Sequence, residues 1–417
     1  MAGISFNSTT ASAFLQKKYS KGYIANSIAQ KASKLLAMIP KSTDNEGADY
    51  NFLISVDESG VGYSADFATA QGMAANSTAA AGLQFRMDYI EDTQVWRVSS
   101  KLLAQTRTNA NAWVNALKLA VDRALRIAAY RKSIALFTQG WGELGQITSV
   151  SGSTFKFLDA ANVYRILPGA PIVFSSALNT AVLRSGTPIN VTKVDYTTNL
   201  VTCDTALATP GGANNDFVFV SGDRQNSATP ARVRPVGLPC WLPVQPVTDT
   251  TISTLFGPDR STDTRAYGQY QDATSMSPVD GLLALIQTCS SIGNATDMVA
   301  VVSPAQYTAI SKMLGTERRI VEVKGEGIAG FKTIELFADG VTCALFSDKF
   351  LGTTDGYVID RKAFEWVSVG PAPHIMSDDG NSVLRISDDN GVEGRVYSLE
   401  NLACKNPAAC GRITFAS

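Results

Sequence analysis

Apolar residues first fall into a strict rhythm at Tyr50. Tyr50, Phe52, Ile54 and Val56 occupy every second position, the period of a half-buried strand. Leu83, Phe85, Met87 and Tyr89 repeat the rhythm and predict a return strand that continues through Val95, Trp96 and Val98. Between the two lies Asp57 to Gly82, rich in Ala, Gly and Ser. A hairpin closes with about two to five residues, so this tip is expected to be held by something outside the subunit. From roughly Asn109 to Gln139 the period changes to 3.6. Trp113, Leu117, Ala120, Val121, Ala124, Leu125, Ala128 and Ile134 form an apolar stripe, with Thr108 or Asn109 as N-cap. Such a helix is about 45 Å long at 1.5 Å per residue. Lys118, Asp122, Arg123, Arg126, Arg131 and Lys132 fill its other face. That face reads either as solvated surface or as a surface turned toward polyanion.

The remainder of the chain changes character several times. Phe14, Leu15, Tyr19, Tyr23, Ile24, Ile28, Ala32, Leu35 and Leu36 predict one or two helices ending near Pro40, packed on their own subunit or on a neighbour. After Gly140, Gly142 and Gly145 the pattern turns to β. Ile147–Phe157 is echoed by Val191–Thr202, and each is followed by a second strand, Pro171–Phe174 and Phe217–Val220. Two such hairpin units predict a small inserted barrel or sandwich between Glu143 and Gln225. Pro230 to Pro258 is proline-dense, holds Trp241, and reads as an extended return without helix. Ser277 as N-cap, Pro278 and Asp280 open a helix reaching about Ser291. Ser303 and Gln306 form a capping box for another helix, ending near Gly315. Strands are expected at Met298–Val302, Arg319–Val323, Thr333–Leu336, Cys343–Ser347, Tyr357–Asp360, Phe364–Val369, Val383–Ile386 and Arg395–Ser398.

Composition narrows the function classes. The 417 residues suffice for two or three domains or one elongated subunit, and 45% hydrophobic content supplies a sizeable core. A formal charge of −1 with 18% charged residues argues against a strongly basic nucleic-acid-binding domain and a polybasic membrane anchor. Six cysteines without a C-x-x-C pair, beside one histidine, read as free thiols in a reducing compartment rather than a zinc site. Only Cys404 and Cys410 stand close in sequence. The N-terminus lacks the pattern of a signal peptide, and no run reaches the roughly 20 apolar residues of a membrane span. A soluble protein made in the cytoplasm is expected.

Candidate chemistry is sparse. Gly325, Gly327 and Gly330 match G-x-G-x-x-G, but a dinucleotide site needs a helix after the motif. Phe331–Leu336 reads as strand, hence a loop is the expectation. His374, flanked by Pro371 and Pro373, has no second histidine or nucleophile motif to work with. Asp378–Asp379 and Asp388–Asp389 lack the ordered ligand spacing of a calcium loop and read as solvated turns. No P-loop, G-x-S-x-G or H-E-x-x-H occurs. Catalytic, cofactor-binding and metal residues are all expected to be absent, so the protein is not expected to be an enzyme.

The order of segments resembles the major capsid protein of tailed bacteriophages, the α+β Hong Kong 97 fold. Local phrases are similar too: Gly237–Leu242, Phe256–Arg265 with Gly268, and Ser303–Tyr307. The resemblance runs from about Thr43 onward. It implies an N-terminal arm (1–48), an E-loop hairpin (49–98), a spine helix of the peripheral domain (99–142) and an inserted β-domain (143–225). An extended return (226–277), an axial α/β domain (278–368) and C-terminal strands (369–417) complete it. It further implies pentamers and hexamers forming an icosahedral phage head around double-stranded DNA, contacted non-specifically. The shell would be assembled in the bacterial host cytoplasm and carried in the virion. Further implied partners are the portal, a separate scaffolding protein and a decoration protein, with no membrane. Asp57 to Gly82 would be the E-loop and, containing no Lys, would not cross-link covalently. An encapsulin-type cellular shell is the near alternative, and a cofactor-binding enzyme at Gly325–Gly330 the distant one.

Overall fold

The computed structural model describes residues 4–6, 32–55, 66, 68, 82–100, 110–179, 183–184, 187–207, 212–223, 232–261, 264–317, 334–376, 384–386 and 390–416. Most of the Asp57–Gly82 tip, the helix cap at Thr108 or Asn109, the strand at Arg319–Val323, Gly325–Gly330 and both aspartate pairs lie outside them, as do all but residues 4–6 of the first 31. The chain forms two compact units: 1–46, 89–237 and 366–402 make one, and 47–88, 238–365 and 403–417 the other.

The first unit is built on a sheet in the order Ile4–Phe6, Ile90–Ser99, Gly391–Cys404, Phe364–Ser368, Lys41–Ser42, with two short strands also on Gly391–Cys404. The long helix runs Ala110–Ala135, about 39 Å at 1.5 Å per residue. Its Ala120 and Ala124, with Val121 and Leu125 beside them, pack on Trp96, Val98 and Val396. Small residues on the stripe let helix and sheet approach closely.

Inserted between Glu143 and Val220 is a closed six-stranded barrel, ordered Leu200–Cys203, Thr154–Phe157, Glu143–Ser151, Phe217–Val220, Pro171–Ser175, Ile189–Asp195. Each sequence echo proves to be a complete hairpin rather than a single strand, giving six strands where the repeat suggested four. The two echoes pair with one another, Leu200 to Thr202 opposite Lys156 to Thr154. Phe155 sits edge-on to Phe157 and Phe174, with ring centroids 5.4 and 5.7 Å away. With Ile147, Val191, Val201 and Val218 these residues fill the interior. Closure leaves no exposed sheet edge.

The second unit contains the hairpin Asp49–Ser55 with Gly82–Asp88, registered Tyr50 to Met87, Phe52 to Phe85 and Ile54 to Leu83. The expected single return strand is in fact two. Gly82–Asp88 pairs with Asp49–Ser55, whereas Ile90–Ser99 pairs with Gly391–Glu400 in the other sheet. Alternation continues across Tyr89, so the pattern alone does not reveal the change of partner.

A mixed six-stranded sheet completes this unit, ordered Gln269–Ala273, Gly411–Phe415, Asp355–Asp360, Met298–Val302, Val341–Ser347, Ile334–Ala338. Helices Pro278–Gly293 and Pro304–Glu317 accompany it. Ser303 Oγ accepts the Gln306 N–H at 3.3 Å, but the Gln306 amide donates to the Ala416 carbonyl instead of closing the box. Ser277 makes no side-chain cap; Pro278 alone starts its helix.

Candidate functional site

Of the chemistry-bearing motifs of the sequence, Gly325–Gly330 and both aspartate pairs lie outside the described residues. His374 lies on a two-residue strand opposite Tyr397, its Nδ1 2.6 Å from the Pro371 carbonyl and its ring edge-on to Tyr397. Among the described residues no group of three or more His, Cys, Asp or Glu is placed to hold a metal ion. All six cysteines are buried. Burial pushes the Cys203 thiol up to about 11 and the Cys343 thiol up to about 12, and Cys289 and Cys404 are raised as well. These thiols stay protonated, hence weakly nucleophilic.

Toward its C-terminal end the basic face of the long helix turns inward at Arg131 and Lys132. Lys132 Nζ lies 2.6 Å from Glu400, whose carboxylate also accepts from Trp366 Nε1 at 2.5 Å and Ser398 Oγ at 3.1 Å. Arg131 faces Asp92 at 3.8 Å, and Asp92 accepts from Arg234 at 3.0 Å. Arg234 pairs in addition with Asp223 at 2.6 Å. Burial and the neighbouring Arg234 lower the Arg131 pKa. The described helix leaves Arg123 exposed.

What the fold does bring together is the base of the hairpin, in the stretch expected to have no regular structure. Leu238–Trp241 and Thr250–Ser253 are single helical turns, the second capped by Asp249, which accepts the Thr251 N–H at 2.8 Å. Trp241 is fully buried. Its indole meets Phe85 at 5.6 Å, Phe52 at 6.3 Å and Phe256 at 5.8 Å between centroids. Phe52 and Phe85 stack across the hairpin at 5.1 Å. Phe256 holds a left-handed backbone, φ 58°, and its carbonyl accepts the Arg86 N–H at 3.0 Å. A non-glycine residue in that region costs roughly 1–3 kcal/mol and persists only where its surroundings enforce it.

Arg260 organises the segment from beneath, fully buried. Nη2 donates to the carbonyls of Ile252 at 2.5 Å and Cys240 at 2.8 Å, and Nη1 to Ala266 at 3.2 Å and Trp241 at 3.5 Å. The guanidinium lies 4.7 Å from the Tyr267 ring centroid and 5.8 Å from that of Trp241. A planar five-donor group is suited to gathering carbonyls from an irregular chain while stacking on rings. Gly268, at φ 75°, passes so close that a Cβ there would meet Leu242 and the carbonyls of Cys410 and Pro407. Trp241 stood out in the sequence, and Arg260 and Gly268 fell within the family-like phrases. Nothing local marked them as a core.

A long helix on a sheet, an inserted closed barrel, and a hairpin rooted in a mixed α/β unit match the Hong Kong 97-type capsid fold. Among solved structures the chain is similar to the capsid asymmetric unit of Cyanophage A-1(L), with TM-score 0.54 and 10% identity, covering 95% of this chain and 96% of that one. It is also similar to the capsid of a native GTA particle (TM-score 0.49, 11% identity, 99% and 100% covered) and to Mycobacterium phage Adephagia (0.46, 8%, 99% and 98%). The fold assignment rests on the first. No family model and no curated protein matches the sequence. No described helix is long and apolar enough to cross a membrane.

Proposed function

We propose that this chain is a major capsid protein that self-assembles as pentamers and hexamers into an icosahedral phage head enclosing double-stranded DNA. The observation that carries the reading is the shared capsid fold over 95% of the chain. In this reading the subunit is a structural protein and not an enzyme, its portal, scaffolding and decoration partners are separate chains, and its home is the virion. The rooted hairpin is then the element that reaches a neighbour, with the Trp241–Arg260 hub fixing its direction. DNA contact is a weak, distributed surface property, consistent with the near-zero net charge.

Electron microscopy of the purified protein, alone and with the scaffolding protein of its phage, tests this. Closed shells are expected, and a compact monomer under every condition sinks the reading. Shells that enclose a cargo enzyme rather than DNA would place the chain with cellular compartments instead. Mature shells are expected to dissolve to single chains on a denaturing gel, since the Asp57–Gly82 tip offers no lysine.

A further inference from the structure

The first unit holds a cavity of about 800 Å³, lined by the C-terminal half of the long helix, the Leu167–Pro171 turn of the barrel and strand residues Thr93–Val95. That volume lies within the range of about 300–1,000 Å³ in which proteins hold small ligands. Its walls are largely apolar, with Ile127, Ile134, Leu144, Ile166 and Val220 among them.

Arg131 and Glu143 also line it. Each keeps one buried polar atom without a hydrogen-bond partner among the described residues, Arg131 Nη1 and Glu143 Oε2. Arg131 Nη1 stands 3.8 Å from Asp92, close enough for ion pairing but too far for a hydrogen bond. The other Glu143 oxygen is taken, since Oε1 accepts the Gln139 N–H at 2.5 Å. A buried polar atom left unmet destabilises the fold, so a molecule that meets both atoms gains the difference on binding.

The charges on the wall are already answered. Arg131 and Arg234 face Asp92 and Asp223 at the distances given above, and Arg165 and Glu143 attract one another. A charged head would enter with its own charge uncompensated. Arg131 only donates, so an ammonium head cannot serve it. Glu143 accepts when ionised and donates when protonated, so a carboxylate head complements it in one state alone. A hydroxyl or carboxamide complements it in both and also accepts from Arg131. We propose that this cavity binds a neutral amphiphile, a hydrocarbon body ending in a hydroxyl or carboxamide head held by Arg131 and Glu143. The body lies along the isoleucine wall. The site is complete within one chain and does not depend on the formation of shells.

Titration calorimetry of the full chain with octanamide tests it, with octanoate and octylammonium as controls of similar length. Saturable octanamide binding, about tenfold tighter than either control, is expected. Arg131→Met, which leaves Asp92 paired with Arg234, should weaken octanamide about tenfold, and Glu143→Leu by a similar factor. Glu143→Gln should stay within about twofold of wild type, because its amide still donates and accepts. An alkyl-diazirine analogue of octanamide locates the site in wild-type protein, whatever the variants do to folding. Photolabel is expected on residues 127–138 and 166–170. An absence of saturable binding would mean that water meets the two atoms, and would overturn the proposal. Equal affinities for octanamide and octanoate, or label confined to other segments, would overturn it as well.

Discussion

The inserted barrel and the 238–268 segment are both held by aromatic side chains, yet they are stabilised by opposite means. In the barrel, strands of alternating residues each contribute a side chain to one closed interior, so no residue is indispensable to its topology. The 238–268 segment has no repeating pattern and few regular hydrogen bonds. One guanidinium gathers carbonyls at Cys240, Trp241, Ile252 and Ala266, and one indole supplies the surface on which the hairpin rests. Distributed packing degrades gradually under mutation. A point fastener, left with unsatisfied buried carbonyls, fails at once.

The sharpest way to break that comparison is Arg260→Ala. It should cost about 3–5 kcal/mol, because the carbonyls lose their donor in a site closed to water. Hydrogen exchange in Asp49–Ser55 and Gly82–Asp88 should accelerate together with exchange in the 250–268 segment. A loss below about 1 kcal/mol would mean that packing alone holds the segment. Phe155→Ala should cost about 3–4 kcal/mol as a core truncation, with exchange rising in the barrel strands and the hairpin unaffected. Hairpin amides that respond equally to both changes would erase the distinction.

Smaller effects sharpen it. Gly268→Ala should cost about 1–3 kcal/mol by thermal melting, since its left-handed backbone and the Leu242 contact both oppose a methyl group. The barrel entrance and the hairpin base each carry a carboxyl with a raised pKa. Glu143, at the barrel entrance, is raised by burial; Asp88, at the hairpin base, is raised by burial and by its cross-strand neighbour Asp49. A carboxyl raised in the folded state binds its proton more tightly than in the unfolded chain. Stability is therefore complete below the unfolded value, 4.5 for Glu143, and declines as pH rises through the folded one. Glu143→Gln should flatten that decline and be neutral or slightly stabilising at pH 7, as read from melts across pH 4–8. Asp88→Asn should do the same more weakly, because its side chain is exposed. A Glu143→Gln variant that melts lower at every pH would show the carboxylate to be needed ionised.

Much of the fold was legible in the residues, element by element. The Tyr50–Val56 alternation, the alanine-rich helical stripe, the echoed barrel segments and the Pro278 helix start each carry their information within about ten residues. The basic residues of the long helix were legible as a face but not as partners, because Glu400 lies 268 positions from Lys132. Arg260 was legible only as part of the Phe256–Arg265 phrase, not as a fastener, for the same reason. A lone arginine among turn residues has no period, and its value depends on carbonyls from three separate stretches.

By itself, then, the amino-acid order determined the long helices and most strand stretches and the sequence in which they occur, since amphipathic period and capping act over a few residues, but not the helical turns at Leu238–Trp241 and Thr250–Ser253. Only the tertiary structure decided that the strand through Tyr89 changes partners, that Lys132 and Arg131 turn inward, and that Arg260 and Trp241 root the hairpin. Those outcomes depend on which distant groups can satisfy a buried charge or carbonyl, and that is settled when the chain closes on itself.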